Sequence, residues 1–152
     1  AGGLGVLLLL KFRRGSDPGN SLCRAVLIRK GEKLAVTALM DSGNTLIEPV
    51  SGKSVSIVDR AVFDRLWGQE RDTFRAIPYH SIGKRRGILE GYLLPELELE
   101  TEGMVFRFTQ VYIAVSNEEI SGTENAEGES VKMIINPGLF AQGNGSRMKA
   151  AE

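Results

Sequence analysis

"ALMDSGNTL", residues 38–46, places an acidic residue directly behind an apolar, strand-like approach and ahead of a second apolar run, "TLIEPV". Aspartate, serine, glycine and asparagine are ordinary turn formers, so Asp41–Asn44 reads first as a turn between strands. The same residues also read as half of a carboxylate pair. A carboxylate acts as general base toward water only when its proton affinity is raised, and a second carboxylate close by raises it because the two cannot ionise together. The chain holds one Asp-Ser-Gly. A pair therefore demands Asp41 from a second copy, at the axis of a two-fold dimer. There Gly43 would let the backbone approach the carboxylates and offer its N–H, and Ser42 would bond across the subunit boundary. An Asp41 side chain in the hydrophobic interior of a lone subunit, or on a face no second copy reaches, would end the catalytic reading.

Short strands dominate on both sides of the motif. "LCRAVLI" and "KLAVTALM", parted by "RKGE", predict a hairpin that begins near Ser21. "SVSIVD" predicts a further strand, after which Asp59 caps a helix over "RAVFDRLW", where Val62 meets Leu66 and Phe63 meets Trp67 at i, i+4. "FRAIPYHSIGKRRGILEGYLLPELELE" reads as strand, glycine-bearing turn and strand, and its alternating tail puts Leu97 and Leu99 on one face. "MVFRFTQVYIAV" continues the pattern, with Phe106 and Phe108 on one face. The acidic "SNEEISGTENAEGES" reads as a mobile loop, and "VKMIINPGLF" as a strand ending at a Pro-Gly turn. Many short strands with a single helix predict an all-β, barrel-like domain.

The 152 residues, 42% hydrophobic, suit one domain with a real core. It is expected over residues 21–140, between an N-terminal segment 1–20 and a disordered tail 141–152. The opening "AGGLGVLLLLKFRR" is too short to span a bilayer alone, which takes about 20 residues, but with its basic flank it reads either as the end of a span entering the cytoplasm or as an N-terminal strand. The turn-rich "GSDPGN" then serves as linker.

Other chemistries fit poorly. Nineteen basic and nineteen acidic residues cancel, so no global field draws in nucleic acid, and the cations of "GKRRG" read as a solvated turn. A single cysteine and a single histidine exclude an internal disulfide and a Cys/His zinc cluster. Nothing sets a nucleophilic serine beside His80, and no Gly-x-Ser-x-Gly elbow exists. "SGKS" lacks the earlier glycine of a phosphate loop, since Ile47 stands there. Cys23, inside an apolar run, reads as a buried structural thiol. No metal or cofactor is expected.

Three stretches together, "MDSGNTLIEPVSGKSVSIVD", "RAIPYHSIGKRRGILEGYLLPELEL" and "MIINPGLF", resemble the protease domain of the sporulation sigma-E factor processing peptidases of endospore-forming bacteria. The resemblance covers most of residues 22–140. That family is similar to retroviral-type aspartic proteases, in which each subunit of a homodimer contributes one Asp-Ser/Thr-Gly. The resemblance implies a retropepsin-like closed barrel with one short helix, half of a two-fold symmetric aspartic protease. It assigns Asp41 as the catalytic acid and base, with Ser42, Gly43 and Asn44 in support. It also implies a β-hairpin flap over the substrate, here Ile77, Pro78, Tyr79, His80, Ser81, Ile82 and Gly83, with Gly87 at the far side of the turn. In the retroviral pattern glycine follows a later strand beneath the active-site loop, whereas here Ile135 is followed by Asn136-Pro137-Gly138. The implied substrate is an inactive sigma-factor precursor. The implied location is the cytoplasmic side of the cell membrane, reached through an N-terminal membrane half. The rival reading is a noncatalytic β-barrel module that pairs an extended peptide with an exposed edge strand.

Overall fold

The computed structural model describes residues 20–80, 86–118, 120, 128–142 and 145–148. Strands β1 (Ser21–Arg29) and β2 (Glu32–Met40) form the expected hairpin in unbroken register from Ser21↔Met40 to Arg29↔Glu32. Lys30 and Gly31 close it with φ of 48° and 82°. Two successive left-handed residues match the right-handed twist of the strands, so this turn tightens the hairpin without splaying it. β3 (Val55–Asp59) leads directly into α1 (Arg60–Trp67), and then come β4 (Arg75–His80), β5 (Arg86–Thr101), β6 (Met104–Ser116) and β7 (Val131–Ile135). A 3₁₀ helix (Pro137–Ala141) and β8 (Gly145–Met148) follow.

The strands run in the order β5-β1-β2-β7-β3-β6, and β6 pairs back onto β5, which closes a barrel. β2 with β7 and β3 with β6 are parallel; the other pairings are antiparallel. β4 extends the sheet from the first half of β5, and β8 from the first half of β6. The fold is an all-β, retropepsin-like closed barrel with one short helix.

Strand alternation divides the apolar residues into two cores. Leu27, Ala38, Val58, Leu97, Ile113 and Met133, one from each barrel strand, point into the interior, where Val62, Phe63, Leu66 and Trp67 of α1 join them. Their alternating neighbours Leu39, Ile57, Tyr112 and Ile134 point outward and are covered by Ile77 and Tyr79 of β4 and by Leu46. Leu97 and Leu99 face the interior together, as the period of "ELELE" requires. The helix buries its stripe as the spacing predicts, and Phe63 stacks on Trp67 at 4.7 Å.

Several expectations need correction. Asp59 holds the N-cap position, yet its carboxylate makes no capping bond; Lys132 of β7 reaches it at 3.5 Å instead. The turn at Pro137-Gly138 continues into the 3₁₀ helix, capped by the Asn136 side chain. The tail expected to be disordered contributes β8, because β6 offers an open edge over Val105–Phe108 and Gly145 has no Cβ to overlap the Phe108 ring. Much of the supposed mobile loop, 119 and 121–127, lies outside the described residues, but Ile120 within it is buried in the outer core. The N-terminal segment 1–19 also lies outside them. No helix among the described residues is long and apolar enough to cross a membrane.

Candidate active site

Asp41 leaves β2 where β7 ends beside it. The parallel pair Met40↔Ile135 brings the two strand ends together, and the Asp41 N–H donates to the Ile135 carbonyl at 3.1 Å. The Asp41 Oδ1 accepts the Gly43 N–H at 2.8 Å, and the Asn44 N–H donates to the Asp41 carbonyl at 2.9 Å. The chain thus turns sharply around the carboxylate. The Asp41 side chain is fully buried, at 0% exposure, while Ser42 and Thr45 on the same loop are exposed.

Asparagines hold this turn. Asn44, also buried, donates from Nδ2 to the carbonyls of Val55 (3.2 Å) and Ile134 (3.3 Å) and accepts the Leu46 N–H at 3.2 Å. Asn20, just before β1, accepts the Ser42 N–H at 3.1 Å. These bonds tie the turn's main chain to β1, β3 and β7. Further along, the Glu48 carboxylate accepts the N–H groups of Val50 (3.0 Å) and Ser51 (2.7 Å). Its burial opposes ionisation, but the Ser51 hydroxyl, those two N–H groups and the charge of Arg75 outweigh it and hold Glu48 below the usual glutamate range.

A cleft of about 500 Å³ opens between this loop and β4, lined on one side by Gly43, Asn44, Thr45, Leu46 and Pro49 and on the other by Pro78, Tyr79 and His80. The structure therefore brings the Asp-Ser-Gly loop and the base of the expected flap to the two walls of one groove. Ile77 and Tyr79 point into the outer core, whereas Pro78 and His80 are exposed. Gly87 pairs with Tyr79 across the hairpin, and a Cβ there would overlap the Tyr79 ring, so glycine is what lets that ring lie flat across β5. Ser81, Ile82 and Gly83, expected at the hairpin tip, lie outside the described residues.

Cys23 is buried, which pushes its thiol up to about 11 and leaves it un-ionised near neutrality. Among the described residues no group of three or more His, Cys, Asp or Glu could hold a metal ion. The sequence reading missed Asn20, Ser56 and Asn136. Asn20 reads as part of a linker, and Asn136, whose N–H donates to the Ser56 Oγ at 3.0 Å, reads only as a departure from a glycine pattern; their roles depend on partners far along the chain.

A family model described as Peptidase_U4, sporulation factor SpoIIGA, matches residues 5–139. No curated protein matches the chain.

Proposed function

The chain belongs to the SpoIIGA sporulation factor family of peptidases, and on that premise we propose that it hydrolyses peptide bonds with Asp41 as the acid–base group. Two copies meet about a two-fold axis, so that two Asp41 carboxyl groups share one proton. The ionised carboxylate takes a proton from water as the water oxygen bonds to the scissile carbon. The protonated partner donates to the carbonyl oxygen. Collapse of the resulting tetrahedral species breaks the C–N bond, with a proton passing to the leaving nitrogen, and no acyl-enzyme forms. Ser42, Gly43 and Asn44 support the carboxylates. The hairpin from Ile77 to Ile88 closes over the bound chain as a flap and excludes water, which strengthens these interactions.

The substrate on this reading is an inactive sigma-factor precursor, cut by domain 21–140 at the cytoplasmic face of the cell membrane, with segment 1–20 as the end of an anchor. The observation that carries the proposal is the cleft that joins the Asp-Ser-Gly loop to the β4 hairpin. Asp41 is closed from solvent in the single chain, so the mechanism requires its cover to open when the second copy or the peptide arrives. That burial favours a second reading, a noncatalytic barrel in which Asp41 only closes its turn and an extended peptide pairs with the outer edge of β4.

Incubation with sigma-factor precursor, followed by mass spectrometry, separates the two. Cleavage should fall roughly 10³-fold or more in Asp41→Ala, the scale of lost acid–base catalysis. A folded Asp41→Ala that cuts as fast as the parent overturns the catalytic assignment. Peptide binding without cleavage at any pH, unchanged by Asp41→Ala, establishes the binding module. Mixed dimers of parent and Asp41→Asn subunits should be almost inactive; full activity per parent subunit would show a monomeric site.

A further inference from the structure

Two adjacent residues, the last of the β2–β7 pairing and the one after it, hold both ends of the Asp41–Leu46 loop. The Ile135 carbonyl accepts the Asp41 N–H at 3.1 Å, and the Asn136 Nδ2 donates to the Leu46 carbonyl at 2.9 Å. Asn136 is 5% exposed, and its other polar groups are engaged as well. Its N–H donates to the Ser56 Oγ at 3.0 Å, and its Oδ1 accepts the Gly138 N–H at 2.9 Å. One side chain thus ties the far end of the loop to the 3₁₀ helix, while its own backbone is anchored on β3.

Neither local geometry nor the Leu46 carbonyl's own need for a partner requires this bond to the loop. The Asn136 backbone, at φ −85° and ψ 116°, is open to any residue. The Leu46 carbonyl already accepts the Val55 N–H at 2.9 Å. A carbonyl has two lone pairs, so the asparagine amide takes the second and fixes the direction of the peptide plane, where one bond would leave it free to swing. Leu46 also lines the cleft and stands five residues from Asp41, with Asn44 bonded between them.

We propose that Asn136 is a positioning residue for hydrolysis: by clamping Leu46 it sets the direction in which the loop presents the Asp41 carboxyl. The inference rests on the catalytic reading of Asp41. Alignment is where such a clamp acts, because a displacement of about 1 Å at a reacting group can cost on the order of 100-fold in rate.

Two variants of the full chain test it, assayed on a library of quenched fluorogenic peptides beside Asp41→Ala and normalised to folded protein. Asn136→Asp keeps an acceptor for the Gly138 N–H but turns an oxygen toward the Leu46 carbonyl. Asn136→Gly removes the side chain. Both should lower kcat by roughly 10- to 100-fold while KM stays as in the parent, since neither variant changes a side chain that lines the cleft. In Asn136→Gly, hydrogen exchange at the amides of residues 42–46 should accelerate ahead of the barrel strands. An inactive Asp41→Ala together with unchanged kcat in both variants overturns this inference alone, as does a rise in KM with kcat intact. An active Asp41→Ala overturns the catalytic reading and this inference with it. Exchange needs no turnover: where Asn136→Asp fails to fold, unchanged exchange across residues 42–46 in Asn136→Gly overturns the inference.

Discussion

Around α1 the chain is held mainly by apolar contact, with a few polar bonds at its rim, and around Asp41 by hydrogen bonds aimed at single main-chain atoms. Phe63 stacks on Trp67 at 4.7 Å and lies 4.6 Å from Tyr92, both tolerant of small shifts. Arg29 is buried against the same group, 4.5 Å over the Trp67 ring, with its guanidinium on the Leu66 carbonyl at 3.1 Å and near Asp72 at 3.5 Å. Asp72 accepts the Trp67 indole N–H at 2.9 Å, and that bond, with the charge of Arg29, holds its carboxyl below the usual range against the cost of desolvation. In the loop, by contrast, the buried side chains are Asp41, Asn44 and Glu48, and what they contact is mostly N–H and C=O. Apolar packing supplies free energy with little direction. Hydrogen bonds contribute less each, but they fix orientation, which the proposed acid–base role of Asp41 needs.

The contrast can be broken at either end. Phe63→Ala should cost about 3–5 kcal/mol in urea unfolding, the range for emptying a buried aromatic site, while kcat per folded molecule stays at the parent value. A fall in kcat comparable with that of loop variants would erase the division between the regions. Asn44→Ala removes the amide from the Val55 and Ile134 carbonyls and the acceptor from the Leu46 N–H. The expected loss is about 1–3 kcal/mol, joined by a drop in kcat; unfolding and initial-rate measurements on one preparation show whether the two separate.

The smallest effect lies at Glu48 and concerns pH. Its folded pKa is depressed, so the stability it contributes is complete above the unfolded glutamate value and disappears as pH falls through the folded value. Urea midpoints measured from neutral into acid should therefore fall more steeply for the parent than for Glu48→Gln, with the curves converging at the acid end. Parallel curves would mean that the turn at Val50 and Ser51 does not depend on the carboxylate charge.

Local periodicity made most of the barrel legible in the sequence. "RKGE" marked the first hairpin because its two central residues take left-handed turns, and "ELELE" marked its face because strand side chains alternate. The helix was legible from its spacing at Val62, Phe63, Leu66 and Trp67. Asp59 misled, because the cap preference of aspartate is weaker evidence than a lysine on a neighbouring strand. The short "GSRM" of β8 carries no strand pattern of its own and pairs because β6 supplies an edge. In the site, Asp41, Gly43 and Asn44 stand out as turn residues, but Asn20 and Asn136 lie 22 and 90 residues from their loop partners and have no local signature.

Residue order alone therefore determined the strand-rich class, the helix and the acidic turn, since periodicity and turn chemistry act over a few neighbouring residues. Pairing of β1 with β5, of β2 with β7 and of β3 with β6, burial of the Asp41 carboxyl, and the capture of Leu46 by Asn136 were decided only in three dimensions. Each depends on groups far apart along the chain, whose meeting is fixed by which strand ends lie side by side.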